Sequence, residues 1–164
     1  MKEKIKQKQT ILGIDPGTRI TGYGAIQNSQ QGLHVLDYGC IRPPVKEELN
    51  NRFFIIYRDL LLLLEKFQPD VVAIETQFFQ KNAQSALKLG MARGVILIAA
   101  KNHDIPIVEY APTRVKKAIC HGRASKYQVQ SMVKRLLGLS ALPEPEDAAD
   151  ALALAICCAN DSTI

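Results

Sequence analysis

The sequence predicts an α/β fold, a five-stranded mixed sheet flanked by helices on both faces. Three patterns carry that expectation. Three β-rich stretches come first with only short connections, as in an antiparallel meander. Two further apolar stretches then alternate with segments of helical periodicity, as parallel strands joined by crossovers do. The first of these two, residues 71–74, is apolar at every position, which suits a strand covered on both faces.

Residues 10–14 are a short apolar run closing on Asp-Pro-Gly, a buried strand that ends in a turn. Residues 20–27 and 33–41 are β-rich and separated by the polar, glycine-containing stretch 28–32, so they form a hairpin. From residue 47 to residue 67 apolar side chains recur at helical spacing, and Pro69 stops that helix. Residues 71–74 then deliver Glu75 at the C-terminal end of a buried strand. A long helix follows over residues 81–102, with Ala83, Ala86, Leu87, Gly90, Gly94 and Ile98 giving it a small-residue face suited to close helix approach. Residues 105–108 are the fifth strand. Pro112 opens a helix that runs through Cys120, residues 126–137 form another, and the last begins near Pro145 and carries Asp147 and Asp150.

At 164 residues, 47% of them hydrophobic, the chain can bury one substantial core but not two. Residues 1–9 are expected to be a flexible basic head, and residues 10–160 a single domain. No uninterrupted apolar stretch reaches the roughly 18–20 residues of a membrane helix; even the leucine run 60–64 is flanked by Asp59 and Glu65. No secretory pattern follows the charged N-terminus. Cys40, Cys120, Cys157 and Cys158 fit neither a CxxC zinc pattern nor a disulfide framework. A soluble protein of the reducing cytoplasm is the reading, without a membrane partner.

The net charge of +5 matters less than its distribution. Between residues 76 and 143 two acids, Asp104 and Glu109, face eleven lysines and arginines, a local +9. Solvated helix faces usually mix both signs. A block of one sign instead suits a polyanion, because each cation that neutralises a phosphate releases counterions.

The acids that stand apart from this block suggest the chemistry. Asp15 and Glu75 each end a buried strand; if those strands are neighbours, both carboxylates emerge at the same sheet edge, where open α/β sheets bind ligands. Asp147 and Asp150 are spaced i, i+3 and share one helix face. Asp15 as a plain turn former and Asp147 as a helix-dipole partner are the competing readings. Asp150 is harder to set aside, since it lies in an otherwise apolar run where an unpaired carboxylate is costly. Four converging carboxylates repel one another, and a divalent cation resolves that conflict. Oxygen-only donors favour Mg²⁺ or Mn²⁺ over zinc. Two such ions roughly 3.5–4 Å apart serve in-line phosphoryl displacement, the chemistry of a nuclease.

At these residues the sequence resembles the RuvC family of Holliday-junction resolvases, within the RNase H-like superfamily. Residues 11–19 (ILGIDPGTR) with TGYG at 21–24, AIE at 73–75, KNA at 81–83 with SALKLG at 85–90 and ARG at 92–94, and DAADALA at 147–153 follow the family pattern in order. The resemblance runs from about residue 11 to residue 157. It implies an RNase H-like fold and a homodimer that resolves four-way DNA junctions in recombination and repair by paired symmetric nicks. Activated water would attack the phosphodiester with Mg²⁺ or Mn²⁺ as cofactor, two ions per site. Resolving a two-fold junction takes two cuts, which a C₂ dimer supplies. A branch-migration helicase complex (RuvA and RuvB) is an implied partner.

Residue by residue, Asp15, Glu75, Asp147 and Asp150 fall on the family's catalytic, metal-holding acids. Phe78 matches an aromatic that packs against bases at the opened crossover, with ordinary core as the competing reading. Lys116 and Lys126 match basic residues near the scissile backbone, where they offset developing charge or simply position phosphates. Lys81, Arg114, Lys117 and Arg123 join them as expected DNA contacts. The chain departs from the family at Cys120-His121-Gly122-Arg123, where small glycine-rich residues are usual. Rival readings remain. One is an ATPase of the actin type, disfavoured because no second phosphate loop occurs; others are an RNase H-type enzyme, a ribosomal-RNA trimming relative and a junction-binding module without activity.

Overall fold

The computed structural model describes residues 8–76 and 82–161. Its sheet has five strands in the order β3-β2-β1-β4-β5. β1 (Gln9–Asp15), β2 (Thr21–Ser29) and β3 (Gly32–Ile41) form the antiparallel meander. β4 (Val71–Glu75) adds parallel to β1, and β5 (Ile107–Tyr110) parallel to β4. The mixed sheet expected from the sequence is therefore the observed one. The hairpin turn is tighter than the polar stretch suggested: β2 and β3 pair as far as Ser29 opposite Gly32, whose φ of +109° is a conformation glycine tolerates.

Alternate side chains of the central strands supply two cores, one per face. Leu12, Ile14, Val72 and Ile74 face α1 (Leu49–Phe67) and α2 (Ala83–Asn102). On α1 the buried residues Phe53, Ile56, Leu60 and Leu64 recur at helical spacing, and the helix ends where Gln68 turns left-handed (φ 44°) ahead of Pro69. Asn82 caps α2 by accepting from the backbone N–H groups of Gln84 and Ser85.

Ile11, Val71 and Ala73 face α3 (Pro112–Ile119), α4 (Lys126–Leu136) and α5 (Glu146–Ala159). A capping box of Ser125 and Gln128 starts α4. From Ala148 to Cys158 every residue of α5 except Asp150 is buried. Apart from the acids near its N-terminus, the helix is apolar all round and sits between the sheet and the α3–α4 pair.

One expectation needs correction. The fifth strand is displaced by two residues, from 105–108 to Ile107–Tyr110. Ile105 belongs to the turn that closes α2, its N–H bonding the Ala100 carbonyl and its side chain buried against α1 and α2. Pro106 cannot donate to a ladder, and pairing begins after it. The small-residue face of α2 is not packed inside this chain. Leu87 and Ile98 are 67% and 58% exposed, and a Cβ on Gly90 or Gly94 would meet open space. By length and mean hydropathy (1.2) alone, α2 would pass for a membrane-crossing helix. Lys88 and Arg93 nevertheless interrupt it, and Arg93 pairs with Glu109 of β5.

Candidate functional site

Ile14 of β1 pairs with Ile74 of β4 in parallel register, so the following residues, Asp15 and Glu75, leave the sheet side by side at its C-terminal edge. The turn after Asp15 is held by Thr21, the one buried polar side chain among the described residues. Its hydroxyl donates to the Gly17 carbonyl at 2.8 Å and accepts from the Gly17 N–H at 3.3 Å.

The third element reaches this edge because three strand residues lack side chains. A Cβ on Gly13 would stand 2.0 Å from the Ala151 carbonyl oxygen, and one on Gly22 2.0 Å from that of Asp147. Gly24 makes the same room for Leu152. α5 therefore lies almost on the backbone of β1 and β2, and its first turn comes down beside Asp15, which pairs with Gly22.

The electrostatics record the convergence. The Asp15 carboxyl is pushed up to about 8, by burial first and then by Asp150, Glu75 and Asp147. Burial and Asp150 also raise Glu75, against the pull of Lys116 and Lys126. Asp150 is raised by burial, opposed by Lys126 and reinforced by Asp147. The four sequence-predicted acids thus share one field.

Of the predicted cations, two reach it. Lys126 Nζ lies 3.1 Å from Glu146 Oε2 and 3.8 Å from Asp150 Oδ2. Lys116 acts on Glu75 and Asp150 from α3. Arg114 is directed elsewhere: it bonds Asp161 at 2.7 Å beyond the far end of α5 and stacks over the Tyr110 ring at 5.2 Å. Lys117 and Arg123 are exposed near the 120–125 turn and pair with no acid among the described residues. Phe78 and Lys81 lie outside the described residues.

Glu146, Thr21 and Cys40 were not singled out from sequence. Glu146 holds Lys126, and Thr21 shapes the Asp15 turn. Cys40 pairs with Gly22, and its thiol is pushed up by burial and by Asp147, so it stays protonated. The glycines did carry a signal, since glycine inside a strand marks a close backbone approach.

An all-carboxylate donor set with mutually raised protonation suits a hard divalent cation, which would replace the proton Asp15 otherwise keeps. As the side chains stand, no three acids, histidines or cysteines among the described residues are gathered tightly enough to grip an ion. Binding therefore requires the carboxylates to draw in around it.

Comparisons with known proteins converge on one family. The family model described as crossover junction endodeoxyribonuclease RuvC matches residues 11–158. A protein of that name from Protochlamydia amoebophila is 59% identical over 148 residues, covering 90% of this chain and 88% of the relative. Its namesake from Moorella thermoacetica is 49% identical, covering 90% and 89%. Among solved structures, the RuvC protein of T. thermophilus in complex with a Holliday junction substrate superposes with a TM-score of 0.82 at 34% identity, over 91% of each chain.

Proposed function

This chain belongs to the RuvC family of crossover junction endodeoxyribonucleases, and from that premise we propose how its residues do the work. The protein is an endodeoxyribonuclease that resolves Holliday junctions, the four-way intermediates of recombination and repair, on an RNase H-like fold. The family's nucleases depend on a metal ion. For this chain the ion is Mg²⁺, replaceable by Mn²⁺, two per site, held by Asp15, Glu75, Asp147 and Asp150. Once bound, the divalent cations supply Lewis acidity that makes water a better nucleophile and offsets charge on the phosphate.

The residues themselves do the rest. Asp15 and Glu75, fixed on strand ends, give the site a rigid floor, and α5 sets Asp147 and Asp150 against it. Lys126 and Lys116 neutralise charge on the phosphate as it accumulates. Lys126 must leave Glu146 to do so, an exposed pair that costs little to break. Lys117 and Arg123 track the backbone nearby, Lys81 adds a further DNA contact, and Phe78 packs against bases at the opened crossover. Arg114, tied to Asp161, reaches DNA only by giving up that bond.

The working unit is a homodimer through the exposed face of α2. Leu87, Met91 and Ile98 there are 67%, 44% and 58% exposed, and Gly90 and Gly94 leave room for a second helix to approach closely. A cytoplasmic enzyme handing over from a branch-migration helicase completes the reading. Its supporting observation is the side-by-side exit of Asp15 and Glu75 under the first turn of α5.

Mg²⁺-dependent cleavage of a labelled synthetic four-way junction, beside linear duplex and an RNA–DNA hybrid, tests it. Paired symmetric nicks in the junction alone, lost in Asp15→Asn, are expected. Preferential hybrid cleavage, or full activity in the variant, would overturn it.

A further inference from the structure

A cavity of about 560 Å³ opens between the β1–β2 turn and the N-terminal ends of α1 and α2. Thr18, Arg19, Arg52, Ser85 and Lys88 line it together with one acid, Glu47. Both strands that carry the rigid acids lead into its walls. β1 passes from Asp15 into the turn holding Thr18 and Arg19, and the chain beyond β4 and Glu75 enters α2, which brings Ser85 and Lys88.

Its charge is not balanced from within. Arg52 donates from Nε to the Glu47 carbonyl at 2.9 Å and from its terminal nitrogen to the Val45 carbonyl, so backbone groups hold it and no carboxylate cancels it. The Glu47 carboxylate accepts from Asn51 at 2.9 Å. Arg19 and Lys88 take part in none of the ion pairs among the described residues. Three cations against the single Glu47 carboxylate leave the cavity net positive, which favours a further anion.

Position decides which anion. Lys116 and Lys126 stand on the α3–α5 face of the sheet, whereas this cavity opens on the α1–α2 face, at the same C-terminal edge. A strand laid across that edge over the acids meets cations on both sides. Resting on the nuclease reading above, we propose that Arg19 and Lys88, with Arg52 and the Thr18 and Ser85 hydroxyls, form a positioning site for a DNA phosphodiester flanking the one cut. Arg19 and Lys88 steady the strand on the side opposite Lys116 and Lys126 and touch no reacting atom.

The test is the salt dependence of junction binding, measured without divalent ions so that nothing is cut. Each phosphate contact contributes roughly 0.9 to the slope of log affinity against log salt. Arg19→Gln combined with Lys88→Gln should lower the slope by about 2 and weaken binding on the order of tenfold or more at physiological salt. The conservative pair Arg19→Lys and Lys88→Arg should restore the slope, which a purely structural role would not require. Thermal melting verifies the fold, and Lys88→Gln alone, on an exposed helix position, serves if the double variant does not fold; about half the slope change is then expected. An unchanged slope in a folded variant would overturn the proposal. So would normal junction binding together with loss of a melting-temperature rise induced by inorganic phosphate, since that marks a free-anion site. A wild-type chain that neither binds nor cuts the junction sinks the nuclease reading itself, whereas a wild type that cuts, with a variant of unchanged slope, sinks this inference alone.

Discussion

Removing the charge of Asp15 should stabilise the metal-free protein at high pH and leave it nearly unchanged in acid. The native carboxyl holds its proton up to about pH 8, against 3.8 for the ordinary group. Between those values the folded state binds more protons than the unfolded one, so stability falls as pH rises through the window. Below it both states are protonated and nothing is lost. At about 1.4 kcal/mol per pKa unit, the whole window is worth on the order of 5 kcal/mol. Asp15→Asn keeps the shape and never pays this penalty. With about 2–4 °C of melting temperature per kcal/mol in a chain of this size, the variant should outlast wild type by on the order of 10 °C at pH 8 in EDTA, and by little at pH 4.5. Glu75 and Asp150 shift in the same direction, so Asp15→Asn keeps some pH slope of its own. A divalent ion takes the place of the missing proton. Mg²⁺ at about a hundred times its dissociation constant adds roughly 2.7 kcal/mol to wild type, and it should do less for Asp15→Asn. Differential scanning calorimetry across pH, with EDTA or Mg²⁺, reads all of this. A gap between the two proteins that is the same at pH 4.5 and pH 8 would refute the reasoning.

Other expectations follow from contacts rather than titration. Gly22→Ala drives a methyl into the Asp147 carbonyl, a backbone atom that cannot rotate away, so it should cost about 1–3 kcal/mol in chemical denaturation and lower cleavage more than binding; a variant with wild-type stability and rate would show that α5 does not need this approach. Leu87→Glu puts a charge on the exposed face of α2 and should turn a dimer into a monomer in analytical ultracentrifugation, with loss of paired cutting; a variant that stays dimeric moves the interface elsewhere. Asp150→Asn should keep junction binding in a gel-shift assay and lose at least about a hundredfold in cleavage, in the range a lost transition-state contact produces; full activity would remove Asp150 from the metal site.

The fold was legible wherever one periodicity acted alone. Residues 71–74, apolar throughout, could only be a covered strand, and the α1 stripe of Phe53, Ile56, Leu60 and Leu64 could only be helix. The fifth strand slipped because Ile105 is equally apolar in a strand or in a helix-closing turn; the Ala100 carbonyl and Pro106 decide between them, and neither shows in hydrophobicity. The four acids were legible as candidates because two end buried strands and two share one face of an otherwise apolar helix, although a turn and a helix dipole could also account for Asp15 and Asp147. Their convergence was not, since it depends on β1 and β4 being neighbours and on glycines at 13, 22 and 24 admitting α5. The cations were read least well. Charge composition treats Arg114 and Lys116 alike, yet two residues along α3 turn one toward Asp161 and leave the other near Glu75.

A cluster of carboxylates is a poor place to bring a phosphodiester, and the arrangement of charge around it addresses that difficulty directly. Coulomb repulsion between the acids and DNA is strongest without a cation, the same condition in which Asp15 keeps its proton. Partial neutralisation by that proton softens the repulsion but leaves no ion to activate water. Lys116 and Lys126 on the α3–α4 side reach the edge of the acidic centre, and the proposed Arg19 and Lys88 contacts would attract the strand from the opposite face of the sheet. Binding and cutting can then be carried by different groups. In this proposal affinity rests chiefly on the cations, which act with or without metal, Lys116 and Lys126 also offset charge during cleavage, and turnover requires the acids, which act only with metal. This division is why a substitution such as Asp150→Asn is expected to separate the two activities, whereas loss of the flanking cations is expected to weaken both.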